Sequence, residues 1–321
     1  MDSIVLSTRV RLARNLNNYP FIPKLNREDA KKIINDIENT VLSSNEKSNG
    51  IFKPVSGEEL KNEGGKLIEK HLISPNILNS DLPSSVIMDN NNEISIMINE
   101  EDHLRIQVIK KGYNLKDAYN LASVTDDLIE EKNEYAFSEK YGYLTSCPTN
   151  VGTGMRASVM LHLPAISLTG RIGELIESVN RLGITVRGYY GEGSKALGNI
   201  YQFSNQVSLG LNETEILNKL ENIVKQIAEQ ENELRKRILN DSLKDKILRS
   251  YGILSNCYLI SFNEFLSLWS NILLGLDLGI LTDIDKDNFK TLIYRLAPGS
   301  LNVNNSSERD KLRAELLREC L

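Results

Sequence analysis

The chain has 321 residues, 40% hydrophobic and 25% charged, with a formal net charge of −5 at pH 7. That length and apolar content suit one large domain or two ordinary ones around a packed core, and the acidic balance argues against a protein that coats nucleic acid. The three cysteines and three histidines are scattered and hold no Cys-x-x-Cys pair, which argues against a disulfide framework or a structural zinc site.

The opening Met1-Asp2-Ser3 carries no charged-then-apolar signal pattern. The most apolar region, 256–281, is interrupted by Asn263, Glu264, Asn271 and Asp277, which argues against a membrane span. A soluble cytoplasmic protein is expected.

In chain order, Ser7-Thr8-Arg9-Val10-Arg11-Leu12-Ala13-Arg14 reads as a strand with Arg9 and Arg11 on one face. Residues 44–50 form a polar loop. Residues 93–98 and 104–108 alternate as half-buried strands, and Asn99-Glu100-Glu101-Asp102 between them is a hairpin turn. Apolar positions at Leu115, Ala118, Ala122 and Leu128 predict a helix over 115–132. Further strands are expected at 183–187 and 201–207. From about 213 the spacing becomes helical, the charged run 229–249 continues it, and Pro298-Gly299 breaks it near the end. The reading is an α+β fold with an antiparallel sheet over 1–233, followed by a smaller all-helical domain over 234–321.

The stretch 147–157, Cys-Pro-Thr-Asn-Val-Gly-Thr-Gly-Met-Arg-Ala, is the most informative. Its glycines let backbone approach a ligand, Arg156 offers a fork of donors to phosphate, and a partly ionised Cys147 would attract a cation. Arg9, Arg11, Arg105, Arg156 and Arg187 all lie in strand patterns or beside glycines, and together they could neutralise a nucleotide triphosphate. Glu101 and Glu192 lie near Arg105 and Arg187 in sequence, and as a pair they could hold a planar guanidinium. Two glycine patterns mislead. Residues 152–157 match G-x-G-x-x-A, but Pro164 follows too soon for the helix a dinucleotide site needs. Residues 188–195 approach a P-loop, but Ser194-Lys195 reverses the required order.

These blocks, in this order, resemble the catalytic domain of phosphagen (ATP:guanido) kinases: 7–11, Asn99-Glu100-Glu101-Asp102-His103-Leu104-Arg105, Cys147-Pro148-Thr149-Asn150 with Arg156-Ala157-Ser158-Val159, and Arg187-Gly188-x-x-Gly191-Glu192. The resemblance implies an antiparallel sheet flanked by helices. Creatine and arginine kinases place a helical domain before the first arginine block, for which this chain leaves no room, and a helical extension follows instead. That layout is similar to the bacterial protein-arginine kinases. So is Arg309-Asp310-Lys311-Leu312-Arg313-Ala314, which fits their phosphoarginine-binding motif.

The resemblance implies ATP with Mg²⁺, and transfer to arginine side chains of proteins that are thereby marked for Clp-type proteolysis in stress response. ATP would be held by Ser7, Thr8, Arg9, Val10, Arg11, His71, Arg105, by 156–160 (Arg156, Ala157, Ser158, Val159, Met160) and by 187–192 (Arg187, Gly188, Tyr189, Tyr190, Gly191, Glu192). His71 would lie beside the nucleoside. Glu101 would act as general base, Glu192 would help clamp the acceptor, and Cys147 would set a thiolate against it with Thr149 on the sulfur. No protein ligands for the metal are evident. Implied partners are protein substrates with accessible arginines, a zinc-binding activator, a Clp unfoldase and a second copy in a homodimer, with no nucleic acid and no membrane. Two alternatives stay open: a kinase of a free guanidino metabolite, and a phosphoarginine-binding adaptor with an inactive kinase domain.

Overall fold

A computed structural model describes residues 1, 3–45, 51–55, 57–189 and 196–321. The chain packs as two units, Ser7–Val159 with Ser204–Glu221, and Met1–Leu6 with Met160–Phe203 and Asn222–Leu321. Both units draw on segments distant in sequence. The reason lies in the core of the second unit, where Leu6, Met160, Tyr189 and Ile200 share one apolar cluster with Phe265, Trp269 and Leu292. Chain segments distant in sequence bury their side chains together there.

The first unit is built on β1 (Val5–Arg14), β2 (Phe52–Val55), β3 (Ser85–Asp89), β4 (Ile94–Ile98), β5 (Leu104–Lys111) and β8 (Met155–His162), in the order β2-β3-β4-β5-β1-β8. The pairs β2–β3, β3–β4, β4–β5 and β5–β1 are antiparallel, in keeping with the expected antiparallel sheet, but β4 is buried at every position and not half-buried as its alternation suggested, because both faces of the sheet are covered there. Register sets the faces. Arg9 lies opposite Ile109, Arg11 opposite Gln107 and Ala13 opposite Arg105, while Arg105 lies opposite Met97. Directly paired residues project to the same side, so Arg9, Arg11 and Arg105 share one face of the sheet. The other face is wholly apolar at Val10, Leu12, Ile96, Ile106 and Val108, all buried.

Helix Leu115–Glu130 packs on β5, and helix Arg27–Ser43 packs against that helix and β2. The helix expected over 115–132 stops at Glu130, because the Asn133 side chain donates to the Ile129 carbonyl at 2.8 Å. On the arginine face, helix Gly57–Glu69 lays Leu60 and Leu67 against Val86, Met88 and Met97. The short strands β6 (Phe137–Ser138) and β7 (Gly142–Tyr143) form a separate ribbon.

The second unit holds β9 (Ile184–Arg187) and the start of β10 (Ile200–Asn205), which are neighbouring strands. The strand expected over 201–207 ends at Asn205, whose side chain turns back to bond the Val207 carbonyl. The helical run expected through 229–249 is two helices, Glu213–Arg237 and Asp241–Asn256, because Asn240 caps the second by accepting from Leu243 N. Helices Phe262–Asp277, Lys286–Arg295 and Ser306–Cys320 complete the all-helical C-terminal region. Trp269 is fully buried and donates to the Phe289 carbonyl at 3.0 Å. A buried ionic network joins the layers. Arg235 bonds Glu231 at 2.8 Å and Asp277 at 2.6 Å, and Glu231 caps helix Pro164–Leu168 at the amides of Ala165 and Ile166. Among the described residues no helix is long and apolar enough to cross a membrane.

Candidate active site

The turn at 99–103 is over-determined by hydrogen bonds. Asn99 takes a left-handed φ of 59°, its amide donates to the His103 carbonyl, and its side chain donates to Ala30 and Pro83. This geometry fixes the direction of two successive carboxylates. Glu100 turns inward, where its Oε2 accepts the Glu101 amide at 2.9 Å and lies 2.7 Å from Arg105 Nη2. Glu101 Oε2 meets the same nitrogen at 2.7 Å. The Glu101 side chain is 39% exposed and that of Glu100 is 0% exposed, so Glu101 is the carboxylate open to a substrate. Glu100 was not singled out from the sequence, where two adjacent glutamates look alike.

Asp102 and His103 anchor the same turn from behind. Asp102 Oδ1 accepts the Ser146 amide at 2.6 Å and the Asn15 side chain at 2.7 Å. His103 Nδ1 accepts the Leu16 amide at 3.0 Å, so its Nε2 carries the proton that faces the Pro20 carbonyl at 3.0 Å. Burial lowers the pKa of His103, against a smaller upward pull from Pro20 and Asp102.

Ser146 leads directly into the thiol loop. Cys147 opens a 3-10 turn over Pro148–Asn150, and its carbonyl accepts from Thr145 Oγ1 at 2.8 Å and from the Asn150 amide at 3.0 Å. Thr149 Oγ1 lies 3.1 Å from Cys147 Sγ. The two glycines that follow are required by packing. At Gly152 (φ 113°) a Cβ would stand 2.7 Å from the Ser208 carbonyl oxygen, and at Gly154 (φ 64°) it would stand 2.4 Å from Arg14 Nη1. The buried Arg14 pairs with Asp126 at 2.6 Å, donates to the Thr153 carbonyl and lies over the Tyr143 ring. Residues 155–162 are a strand, so the G-x-G-x-x-A stretch opens no helix and cannot serve as a dinucleotide fingerprint.

The arginine face receives the turn that follows helix Gly57–Glu69. Gln107 donates to the carbonyls of His71 and Leu72 at 2.8 and 3.0 Å, and Ser95 donates to Leu72 at 2.7 Å. His71 adopts a left-handed φ of 58° there. Burial and the nearby Arg9 charge depress its pKa to about 3, so the ring is neutral at pH 7. It is thus a half-buried turn residue beside Arg9. On β8, Ser158 Oγ reaches the Arg9 carbonyl at 3.4 Å. Asn205 brackets Arg156, accepting from Ala157 N at 2.8 Å and donating to Met155 O at 3.0 Å. Asn205 carried no sequence signal, because its partners lie about fifty positions away.

The residues expected around ATP differ in burial. Thr8, Val10, Ala157, Ser158, Val159 and Met160 are buried, which leaves Ser7, Arg9, Arg11 and Arg156 as the part-exposed side chains of these strands. Thr8 Oγ1 donates to the Gly112 carbonyl. Arg187 ends β9 and Gly188 follows it. Tyr189 belongs to the core of the second unit, where its hydroxyl donates to the Ile293 carbonyl at 3.3 Å. Tyr190, Gly191 and Glu192, with Ser194 and Lys195, lie outside the described residues, as do 46–50 of the expected polar loop.

The terminal motif is divided by burial. Arg313 is 1% exposed, and its guanidinium donates to Leu296 O at 2.9 Å, to Ile260 O at 2.7 Å and to Asp310 Oδ1 at 2.6 Å. It joins two loops to the helix. Arg309 and Asp310 are half-buried, Lys311 is exposed, Leu312 packs on the core and Ala314 lies inside it.

Paired carboxylates, a thiol and a row of guanidinium groups on one sheet suit phosphoryl transfer to a cationic nitrogen. The profile for the ATP:guanido phosphotransferase, C-terminal catalytic domain, matches residues 32–234. This chain belongs to that family. It is therefore a phosphotransferase, and a second profile, the Protein-arginine kinase McsB C-terminal domain, matches residues 240–321. A protein-arginine kinase of Clostridium kluyveri is 44% identical, with the alignment covering 99% of this chain and 94% of that protein. One of Geobacillus sp. (strain WCH70) is 46% identical, covering 100% and 91%. Among solved structures, lombricine kinase superposes with a TM-score of 0.65 at 25% identity, covering 75% of this chain and 70% of that chain. The duplicated taurocyamine kinase from Schistosoma mansoni gives 0.62 at 26%, covering 72% and 33%.

Proposed function

We propose that this chain transfers the γ-phosphoryl group of ATP to arginine side chains in proteins. One observation carries the reading: the open carboxylate of Glu101 is bonded to Arg105 on the face that also bears Arg9 and Arg11. That arrangement would set an acceptor base beside phosphate donors. The family relationship and the protein-arginine kinases of similar length support the acceptor.

Arg9, Arg11, Arg105 and Arg156 would bind the phosphates and neutralise charge as the γ-phosphoryl moves. Arg187 would add a further guanidinium and Glu192 a second clamp on the acceptor, both on the motif alone. His71, neutral beside Arg9, would lie against the nucleoside. An arginine has a pKa above ~12, so its nitrogen must lose a proton to become a nucleophile. Glu101 takes that proton. The N–P bond forms as the bond from phosphorus to the bridging oxygen breaks, and ADP leaves with that oxygen and its electron pair. Cys147, with Thr149 on its sulfur, would orient the acceptor guanidinium.

The donor set fits a magnesium ion only indirectly. Among the described residues no three His, Cys, Asp or Glu side chains gather to hold a metal, so Mg²⁺ would travel on the nucleotide's phosphates and water. When bound it would add charge neutralisation to what the arginines supply.

Residues 309–314 would bind phosphoarginine through Arg309 and Asp310, with Arg313 holding the segment in place. Delivery of marked proteins to a Clp unfoldase, a zinc-binding activator and homodimer formation are further parts of this reading. The deciding experiment offers labelled ATP with an unfolded protein or with free arginine. Acid-labile label on protein arginine supports the proposal, while label on free arginine alone assigns a metabolite kinase.

A further inference from the structure

Resting on that reading, we infer that the rim of the thiol loop is an apolar docking surface for the substrate polypeptide on either side of its acceptor arginine. Five side chains form it: Val207, Leu209 and Leu211 on one segment, and Phe137 and Tyr141 on the β6–β7 ribbon. All remain exposed in the folded chain, with Leu209 at 52% and Phe137 at 58%. Between Val207 and Leu209, Ser208 is fully buried. Its hydroxyl donates to the carbonyls of Thr149 and Val151 at 3.3 and 3.0 Å. Thr149 in turn touches the Cys147 sulfur. The two exposed aliphatic residues are therefore tied through one buried serine to the residue beside the thiol.

The aromatic side is tied to the same loop. Tyr143 and Gly152 exchange backbone hydrogen bonds, at 2.8 Å from Tyr143 N and 3.3 Å from Gly152 N. Phe137 pairs with Tyr143 across the ribbon, the rings meeting edge-on at 5.2 Å between centroids. Gly152 itself is pressed against Ser208 and Leu209, where no Cβ would fit. The aliphatic and aromatic groups thus flank one loop that carries the thiol.

Exposed apolar groups on both sides of one loop mark an interaction surface. The occupant follows from continuity with the catalytic loop. On the proposed reading a free guanidino metabolite would end beside Cys147, whereas an arginine in a protein brings chain in both directions, and that chain would cross this rim. Apolar neighbours of the arginine would be buried there. Such neighbours are exposed in unfolded polypeptide, so the surface selects arginines in unfolded or hydrophobic segments.

The test uses the full chain and two short peptides with one central arginine, flanked by leucine and phenylalanine in one and by serine and glycine in the other. Binding is read by fluorescence anisotropy and transfer by labelled ATP. The apolar peptide should bind the unaltered protein more tightly. The double substitution Val207→Ser with Leu209→Ser should raise its Kd and KM by about fivefold to thirtyfold with kcat unchanged, and leave the serine-glycine peptide as it was. Phe137→Ser, on the other side of the loop, should show the same preference and serves if the double variant disturbs the 204–211 segment. Equal affinity of the unaltered protein for both peptides would overturn the inference. So would equal weakening of both peptides in the variants, or a change of oligomeric state in place of a change in peptide binding. Failure of the kinase reading is a separate outcome, absence of label on any arginine, because the anisotropy comparison does not depend on transfer.

Discussion

Asp102 and Ser146 are joined by a 2.6 Å hydrogen bond from the Ser146 amide to the Asp102 carboxylate, which fastens the residue before Cys147 to the residue after Glu101. The spacing between the Glu101 carboxylate and the Cys147 thiol rests on this part-buried contact. Asp102→Ala should lower kcat and leave the Ser146 and Asn15 donors unpaired, at a cost of about 1–3 kcal/mol each in stability. Asp102→Asn keeps an acceptor oxygen and should restore most of kcat. If the alanine variant retains normal kcat despite a lowered Tm, the contact only stabilises the fold.

The two adjacent glutamates should separate cleanly. Glu101→Gln is expected to bind ATP normally and lose about 10²–10⁴-fold in kcat, since an amide cannot take the guanidinium proton. Glu100→Gln removes a buried charge from Arg105 and should lower Tm as well as ATP affinity. Titration with ATP beside single-turnover transfer reads both. Equal behaviour of the two variants contradicts the division of roles.

Cys147→Ser should keep part of the activity, because serine preserves the shape of the group proposed to orient the acceptor. Alkylation of the thiol should inactivate the enzyme, with protection by nucleotide plus substrate. A trapped phosphocysteine would instead require a covalent mechanism.

Arg313→Ala is expected to destabilise the fold by about 3 kcal/mol or more, since it opens a cavity and strips donors from two buried carbonyls. Arg309→Ala should leave Tm nearly unchanged and weaken phosphoarginine binding. Thermal melts and a binding titration on both variants decide between a holding role and a gripping role.

All three histidines, His71, His103 and His162, are held neutral by burial, His71 and His162 with added repulsion from nearby arginines. Their folded pKa values lie below the unfolded value near 6.5, so the unfolded state binds more protons as pH falls. Their contribution is fully present above about pH 6.5 and is lost progressively toward about pH 3, where His71 titrates. Urea midpoints should therefore fall from pH 7.5 to pH 5.5, and His71→Gln should flatten part of that slope. A midpoint that rises over this interval would contradict the assignment.

Much of this protein was determined by local pattern. Period-two alternation marked β1, β4 and β5 with Arg9, Arg11 and Arg105 on them, and the order of the motif blocks identified the family. Backbone periodicity is a property of neighbours in sequence, and so is readable there. Tertiary structure alone decided the rest. That Glu100 turns inward while Glu101 stays open depends on how the 99–103 turn is pinned to Ala30 and Pro83. That Asn205 brackets Arg156, that Ser208 underlies the thiol loop, and that Arg313 is buried are contacts between residues far apart in the chain. So is the division of the chain into units, because Leu6 and Met160 find their apolar neighbours in the C-terminal helices. A residue's type limits which bonds it can make, but packing chooses among them.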